Sequence, residues 1–217
     1  MKVAVISESE ADEAAIRALV GAILQDQTDE VASYLRSRPG GWPHVRQLLP
    51  GNLSYLHYNT EAEGLVVVVD SDDSIIHERS HESAGGEVLG CRLCELLQIV
   101  EARQALLRDK PRLRANQGII KVALGLAVPA IEAWYQAFSN PHVNEAAWNR
   151  HLKGAKADYT RLSLKADVYG ADPIAKERSR EIAVTAASRL IHSLPALEER
   201  FPIGFGHLAD EIRKWRQ

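Results

Sequence analysis

The stretch 64–74, GLVVVVDSDDS, decides the fold. Five consecutive apolar residues at 65–69, short and β-branched, read as a strand buried on both faces of a parallel sheet. In an open α/β sheet the ligand site lies outside the carboxyl ends of the strands, where this run empties into Asp70, Asp72 and Asp73. Three carboxylates crowded at one strand end repel one another, and a hard cation, Mg²⁺ or Mn²⁺, is the usual physical reason for tolerating that. The competing reading is an acidic turn that only solubilises the strand end.

Working outward, KVAVI at 2–6 is a second short apolar strand, and the chain then takes a helical period with Ala14, Ile16, Leu19, Val20, Ile23 and Leu24 apolar. Glu8 follows this strand immediately and Asp12 lies four residues on, so Glu8 and Asp70/Asp72 converge if the two strands are parallel neighbours, as βαβ units make them. Residues 31–50 read as a helical region interrupted by Pro39-Gly40-Gly41, and 53–58 as a further strand. After the aspartates a polar segment runs to Gly90, followed by a long helix over 92–107. IIKVALGLAV at 119–128 reads as another strand closed by Pro129, and a helix carrying IEAWYQAF follows. Amphipathic stretches at about 176–193 and 207–216 complete the chain.

Composition sets the class. With 217 residues, 46% hydrophobic and 25% charged, the chain is long enough for one substantial core. The expected architecture is α/β, a mostly parallel central sheet flanked by helices in a single domain over 1–217, with the sheet core at 1–140 and a helical C-terminal part at 141–217. The N-terminus turns acidic before any signal-length apolar segment develops, and no run reaches the ~18 residues of a membrane span, so no membrane contact and a cytoplasmic location are expected. Two cysteines three positions apart cannot build a disulfide framework, in keeping with a reducing compartment. Residues 1–90 hold 6 Lys/Arg against 15 Asp/Glu, whereas 145–217 hold 13 against 10. A metal-carrying acidic half followed by a moderately basic part suits phosphates, while a pI of about 6.2 argues against a large nonspecific nucleic-acid surface.

Several of these segments together resemble a known family. Glu8-Ser9-Glu10-Ala11-Asp12-Glu13 is similar to the E-G-x-x-D-E start of the TOPRIM fold, and Asp70-Ser71-Asp72 to its D-x-D motif. Val128-Pro129-Ala130-Ile131-Glu132-Ala133-Trp134 resembles the P-x-I-E-x-W segment of the TOPRIM-like DUF4276 group, many of them encoded in mobile or phage-defence contexts. Lys165 to Gly170 and Phe205 to Trp215 resemble that group's C-terminal pattern. Ser9 departs from the glycine common at its position and asks for a different backbone turn.

The resemblance implies phosphodiester hydrolysis on DNA or RNA. It makes Glu8 a general acid or base or a metal ligand, Asp70 and Asp72 ligands of Mg²⁺ or Mn²⁺, and Asp12 and Asp73 second-tier ligands. Glu132 completes a second metal position, as in the overcoming-lysogenisation-defect nucleases of the same fold. Lys165, with Lys153 and Lys156 before it, is the candidate to meet a phosphate. Glu132 also has a plainer reading, an acid at a helix start favoured by the macrodipole. No Walker A motif is present, so any ATPase of a defence system must come from a partner chain, and a partner or a homodimer supplies much of the nucleic-acid surface. A non-catalytic binding subunit of such a complex is the alternative.

A second metal signal lies just downstream. His77-Glu78-Arg79-Ser80-His81 matches the zinc peptidase pattern H-E-x-x-H, yet the apolar helix that carries it is missing and Gly85-Gly86 follows closely. Continued to Cys91 and Cys94, the segment 77–94 reads H-x3-H-x9-C-x2-C, four ligands at the spacing of a closed structural Zn²⁺ knuckle. The plainer alternative is two surface histidines and a pair of buried small cysteines. Trp134, Tyr135 and Phe138 share helical spacing and are expected in the core, with Trp148 and Trp215 packing the C-terminal helices.

Overall fold

The structure is a computed structural model that describes residues 1–26, 28–31, 41–78, 80–81, 88–113 and 118–216. Four strands, β1 (Lys2–Ile6), β2 (Asp29–Glu30), β3 (Gly64–Asp70) and β4 (Lys121–Ala127), form one sheet in the order β2-β1-β3-β4, every pairing parallel. Val3 lies opposite Gly64 and Ile6 opposite Val67, and Asp70 ends β3 opposite Ala127. The run 65–69 is fully buried, as a strand covered on both faces must be.

Helix α1 (Glu10–Leu24) follows β1, α2 (Gly41–Asn59) precedes β3, and α3 (Arg92–Leu107) leads from β3 toward β4. The chain leaves β1 toward β2 on one side and leaves β3 toward β4 on the other. Right-handed crossovers then place α1 on one face of the sheet and α2 with α3 on the opposite face, where those two pack together. The point between β1 and β3 where the connections diverge is the topological switch point, the crevice in which open α/β sheets bind ligands.

The rest of the chain is helical: α4 (Ile131–Gln136), α5 (Glu145–Leu152), α6 (Arg161–Tyr169), α7 (Lys176–Leu190), α8 (Leu194–Arg200) and α9 (His207–Arg213). It is not a detached appendage. Helix α7 packs along α1 and α9 covers β4. At the start of β3 the Trp215 ring lies against Gly64, where a Cβ would come within 2.5 Å of it, and Lys121 Nζ donates to the Trp215 carbonyl at 2.6 Å.

Two expectations need correction. Residues 53–58 are the last turns of α2, not a strand: Leu49, Leu53 and Leu56 are buried on one helical stripe, and Pro50 sits inside the helix without ending it. Phe138 is not core; it is 45% exposed, with the Arg200 guanidinium 6.0 Å from its ring centre, whereas Trp134 is fully buried against Phe205. Pro39-Gly40, the start of the helical region expected at 31–50, and Gly85-Gly86 lie outside the described residues. No helix among the described residues is long and apolar enough to cross a membrane.

The C-terminal part meets the sheet at Gly204, where an added Cβ would stand 2.3 Å from the Leu126 carbonyl oxygen, a backbone atom that cannot turn aside. Its N–H donates to the buried Glu145 carboxylate at 2.9 Å. Gly204→Ala should therefore cost about 1–3 kcal/mol of stability in urea unfolding, as overpacking does. An unchanged midpoint would mean the close approach is not present.

Candidate functional site

The switch point holds four carboxylates from four different segments. Glu8 is carried by the turn after β1, and its Oε1 accepts the Asp70 N–H at 3.0 Å. Its carboxylate also accepts the Trp42 N–H at the start of α2, an approach possible because Gly41 has φ +62 and no side chain: a Cβ there would lie 3.2 Å from Glu8 Oε2. Asp12 stands in the first turn of α1, with Ser9 Oγ donating to its Oδ2 at 2.6 Å. Asp70 closes β3, and its Oδ1 accepts the Ile131 N–H at 3.0 Å. Glu132, next in the chain, is buried beside it.

Ser9 needs no glycine geometry, since it caps α1 with extended backbone at φ −143, accepting the Asp12 N–H at 3.2 Å on its hydroxyl. Asp12 stands in the first turn of α1 and the start of α2 gives its Trp42 N–H to Glu8, so the positive ends of both helices partly offset the mutual repulsion.

That offset is incomplete. Burial raises the pKa of Asp70 well above the usual aspartate range, with Asp12, Glu8 and Glu132 adding to the rise and the Ile131 N–H opposing it. Asp12 is pushed up to about 7, first by burial and then by Glu132 and Glu8, against the hydrogen bond from Ser9. Burial likewise raises Glu8 and Glu132. The hydroxyl of Tyr135, close to Asp12, Glu132 and Asp70, is buried with no hydrogen-bond partner among the described residues. A group with net positive charge and an oxygen to share would satisfy both the carboxylates and this orphaned hydroxyl.

The carboxylates open into a cavity of about 830 Å³ between α1, the start of α2, α6 and α7. Lys165 lines it and attracts Asp12 and Glu132. Lys153 pairs with Glu78 at 3.6 Å, away from the carboxylates, and Lys156 is exposed.

Asp72 and Asp73 are placed differently from Asp70. Asp72 takes a left-handed turn at φ +50, which aspartate tolerates better than most residues, and its carboxylate is held by Arg92 at 2.7 Å and by Arg161. Asp73 is mostly exposed, with Arg161 at 3.5 Å. Asp12 and Glu132 are therefore drawn into the cluster, while Asp72 and Asp73 form an ion-paired rim. Arg92, which sequence reasoning passed over, also donates to the Asp70 carbonyl, lies 3.8 Å from Glu8 and stacks over Trp42 with 5.4 Å to the ring centre. Its signal was an arginine in the first turn of a helix, where the macrodipole disfavours a cation.

A second cluster lies on the other side of Arg92. His77, His81, Cys91 and Cys94 are all buried, and their ligand atoms lie within 4.8 Å of one another. His77 Nδ1 is 3.5 Å from Cys91 Sγ and 3.4 Å from Cys94 Sγ, and His81 Nδ1 is 3.7 Å from Cys94 Sγ. A tetrahedral ion with Zn–S near 2.3 Å and Zn–N near 2.1 Å separates S and N by about 3.6 Å, so these spacings fit one metal held by four protein ligands. Burial and the neighbouring Cys94 push the Cys91 thiol up to about 12.

Comparison of the chain with protein-family models, with curated proteins and with solved structures finds no match. The functional reading rests on the chemistry of the two clusters.

The raised carboxyls set a pH dependence. An unfolded aspartate titrates at about 3.9, so the stability Asp12 contributes is full below about pH 4 and is lost as pH rises through its folded value of about 7. Metal-free chain should melt at progressively lower temperature from about pH 5 to about pH 8 in calorimetry, with saturating Mg²⁺ restoring the loss. A melting temperature indifferent to Mg²⁺ at the upper pH contradicts the site.

Proposed function

We propose that the chain is a metal-dependent phosphodiesterase acting on DNA or RNA. The observation that supports this most is the set of buried, mutually repelling carboxylates Glu8, Asp12, Asp70 and Glu132, open to a cavity that also presents Lys165. Carboxylates on several segments suit Mg²⁺ or Mn²⁺, hard cations that take oxygen ligands. Such a cation supplies charge neutralisation to a phosphate and lowers the pKa of a bound water. Glu8 and Asp70 would hold it, with Asp12 and Glu132 completing the set or holding a second cation. Lys165 would meet a phosphate oxygen. Burial raises the pKa of Glu8 against the opposing Asp70 and Trp42 N–H groups, which makes it the cluster's candidate to hold or accept a proton. The resemblance of these segments to TOPRIM proteins points to the same chemistry, and a role in phage or mobile-element defence follows from that resemblance alone.

The metal at His77, His81, Cys91 and Cys94 is read as Zn²⁺ in a structural role. Two thiolates and two imidazoles suit zinc, and four protein ligands leave no open position for a substrate or water. The peptidase alternative loses its support here, because Glu78 is turned to Lys153 rather than to an open coordination site.

The test is a nuclease assay on labelled plasmid, single-stranded DNA and RNA with Mg²⁺ or Mn²⁺. Asp70→Asn should lower cleavage by at least about 100-fold with the fold retained, and Glu78→Gln should leave it unchanged. Cleavage that survives Asp70→Asn, or that only Glu78→Gln abolishes, overturns the reading. Purified protein should carry one zinc per chain, which Cys91→Ser removes and Glu78→Gln does not, as metal analysis reads directly.

A further inference from the structure

Arg92 sits between the two cysteines in sequence and between the two clusters in space. Cys91 stands at the N-cap position of α3 and Cys94 lies one turn in, both close to His77, while the intervening arginine reaches the carboxyl end of β3. Its guanidinium donates to the Asp70 carbonyl and to Asp72 Oδ2, lies 3.8 Å from Glu8 Oε1 and rests over Trp42. The side chain is only 15% exposed. One arginine therefore touches the end of β3, the turn after β1, the rim aspartate and the start of α2. A cation in the first turn of a helix is disfavoured by the macrodipole, so the helix alone gives no reason for its being there. The Cys91 side chain makes no capping hydrogen bond, so the start of α3 is left for the thiols and imidazoles to fix.

We infer that the zinc cluster sets the cation affinity of the carboxylate cluster, with Arg92 as the positioning residue that couples them. This rests on the two site readings above. With the metal in place, α3 starts where Cys91 and Cys94 hold it, and the Arg92 fork fixes the Asp70 end of β3 and the Asp72 turn against Glu8. Without the metal the start of α3 and the histidine segment lose their common anchor, and the carboxylates lose the arrangement that suits a divalent ion. A binding site that must first be ordered binds more weakly by the fraction of time it is ordered. Linkage then requires the reverse effect too: a cation on the carboxylates tightens zinc by the same factor.

The test measures binding, not turnover. Mn²⁺ affinity is read by electron paramagnetic resonance on zinc-loaded and chelator-stripped protein, for the native chain and for Arg92→Gln, with circular dichroism reporting the fold. In the native chain, stripping zinc should weaken Mn²⁺ about tenfold; in Arg92→Gln, whatever its own affinity, the zinc dependence should shrink below about twofold. Should stripped protein unfold, the reverse arm decides: zinc affinity, read by equilibrium competition with a chromophoric chelator, should tighten about tenfold with saturating Mg²⁺ in the native chain and not in Arg92→Gln. Equal zinc or Mg²⁺ dependence in both chains, or none in the native chain, overturns the coupling while leaving both sites standing. A native chain that takes up no zinc, or no Mn²⁺, overturns the site readings themselves and the coupling with them.

Discussion

The structure is organised around the cost of removing carboxylates from water at the end of a buried sheet. Burial is the largest cause of the rise in every member of the cluster; Glu132 and Glu8 raise Asp12, those three raise Asp70, and Asp72 raises Glu8 and Glu132. The surrounding fold partly offsets this through three devices: the N–H groups of Asp70, Trp42 and Ile131, the starts of α1 and α2, and the two cations Arg92 and Lys165. The offset is left unfinished, and titratable groups perturbed in this way in a cleft are what the proposed function is built on. The position follows from topology. Because β1 and β3 are neighbours whose connections leave in opposite directions, their ends form a crevice where such groups meet without a crossing helix.

Much of the fold was legible in the pattern of apolar residues. KVAVI at 2–6 is a strand with the expected bounds, the run 65–69 is one that extends a residue further at each end, and the convergence of Glu8 with Asp70 followed from their being parallel neighbours. The helix from Arg92 to Leu107 and the buried quartet His77, His81, Cys91 and Cys94 were also readable, since ligand spacing is a local property. Residues 53–58 misled because Leu53, Tyr55 and His57 alternate like a strand after Pro50, although Leu49, Leu53 and Leu56 keep helical spacing. Among the acids, sequence order favoured Asp72, while the structure places it on arginines. Which carboxylate turns inward depends on the left-handed turn at Asp72 and on Arg161, 89 residues away, and neither is visible in a short motif. Arg92, Trp42 and the orphaned Tyr135 hydroxyl were missed for the same reason.

The two clusters divide metal chemistry by ligand type. In the proposed reading the carboxylates, which burial makes reluctant to ionise, take a hard ion, and the thiols and imidazoles take the softer zinc. Arg92, which reaches Glu8, Asp70 and Asp72, lies between Cys91 and Cys94 in the sequence. Helices α6 and α7 close the cavity from the side, with Lys165 on α6 facing the acids, so the C-terminal helical part belongs to the same site as the sheet.

The most direct measurement is a crystal structure of the zinc-loaded chain soaked in Mn²⁺, with anomalous maps collected at the manganese and zinc edges. The account predicts a manganese peak about 2.1 Å from oxygens of Glu8 and Asp70, and a separate zinc peak among His77, His81, Cys91 and Cys94. A carboxylate cluster without a manganese peak, or manganese bound only at the exposed Asp73 rim, would contradict it.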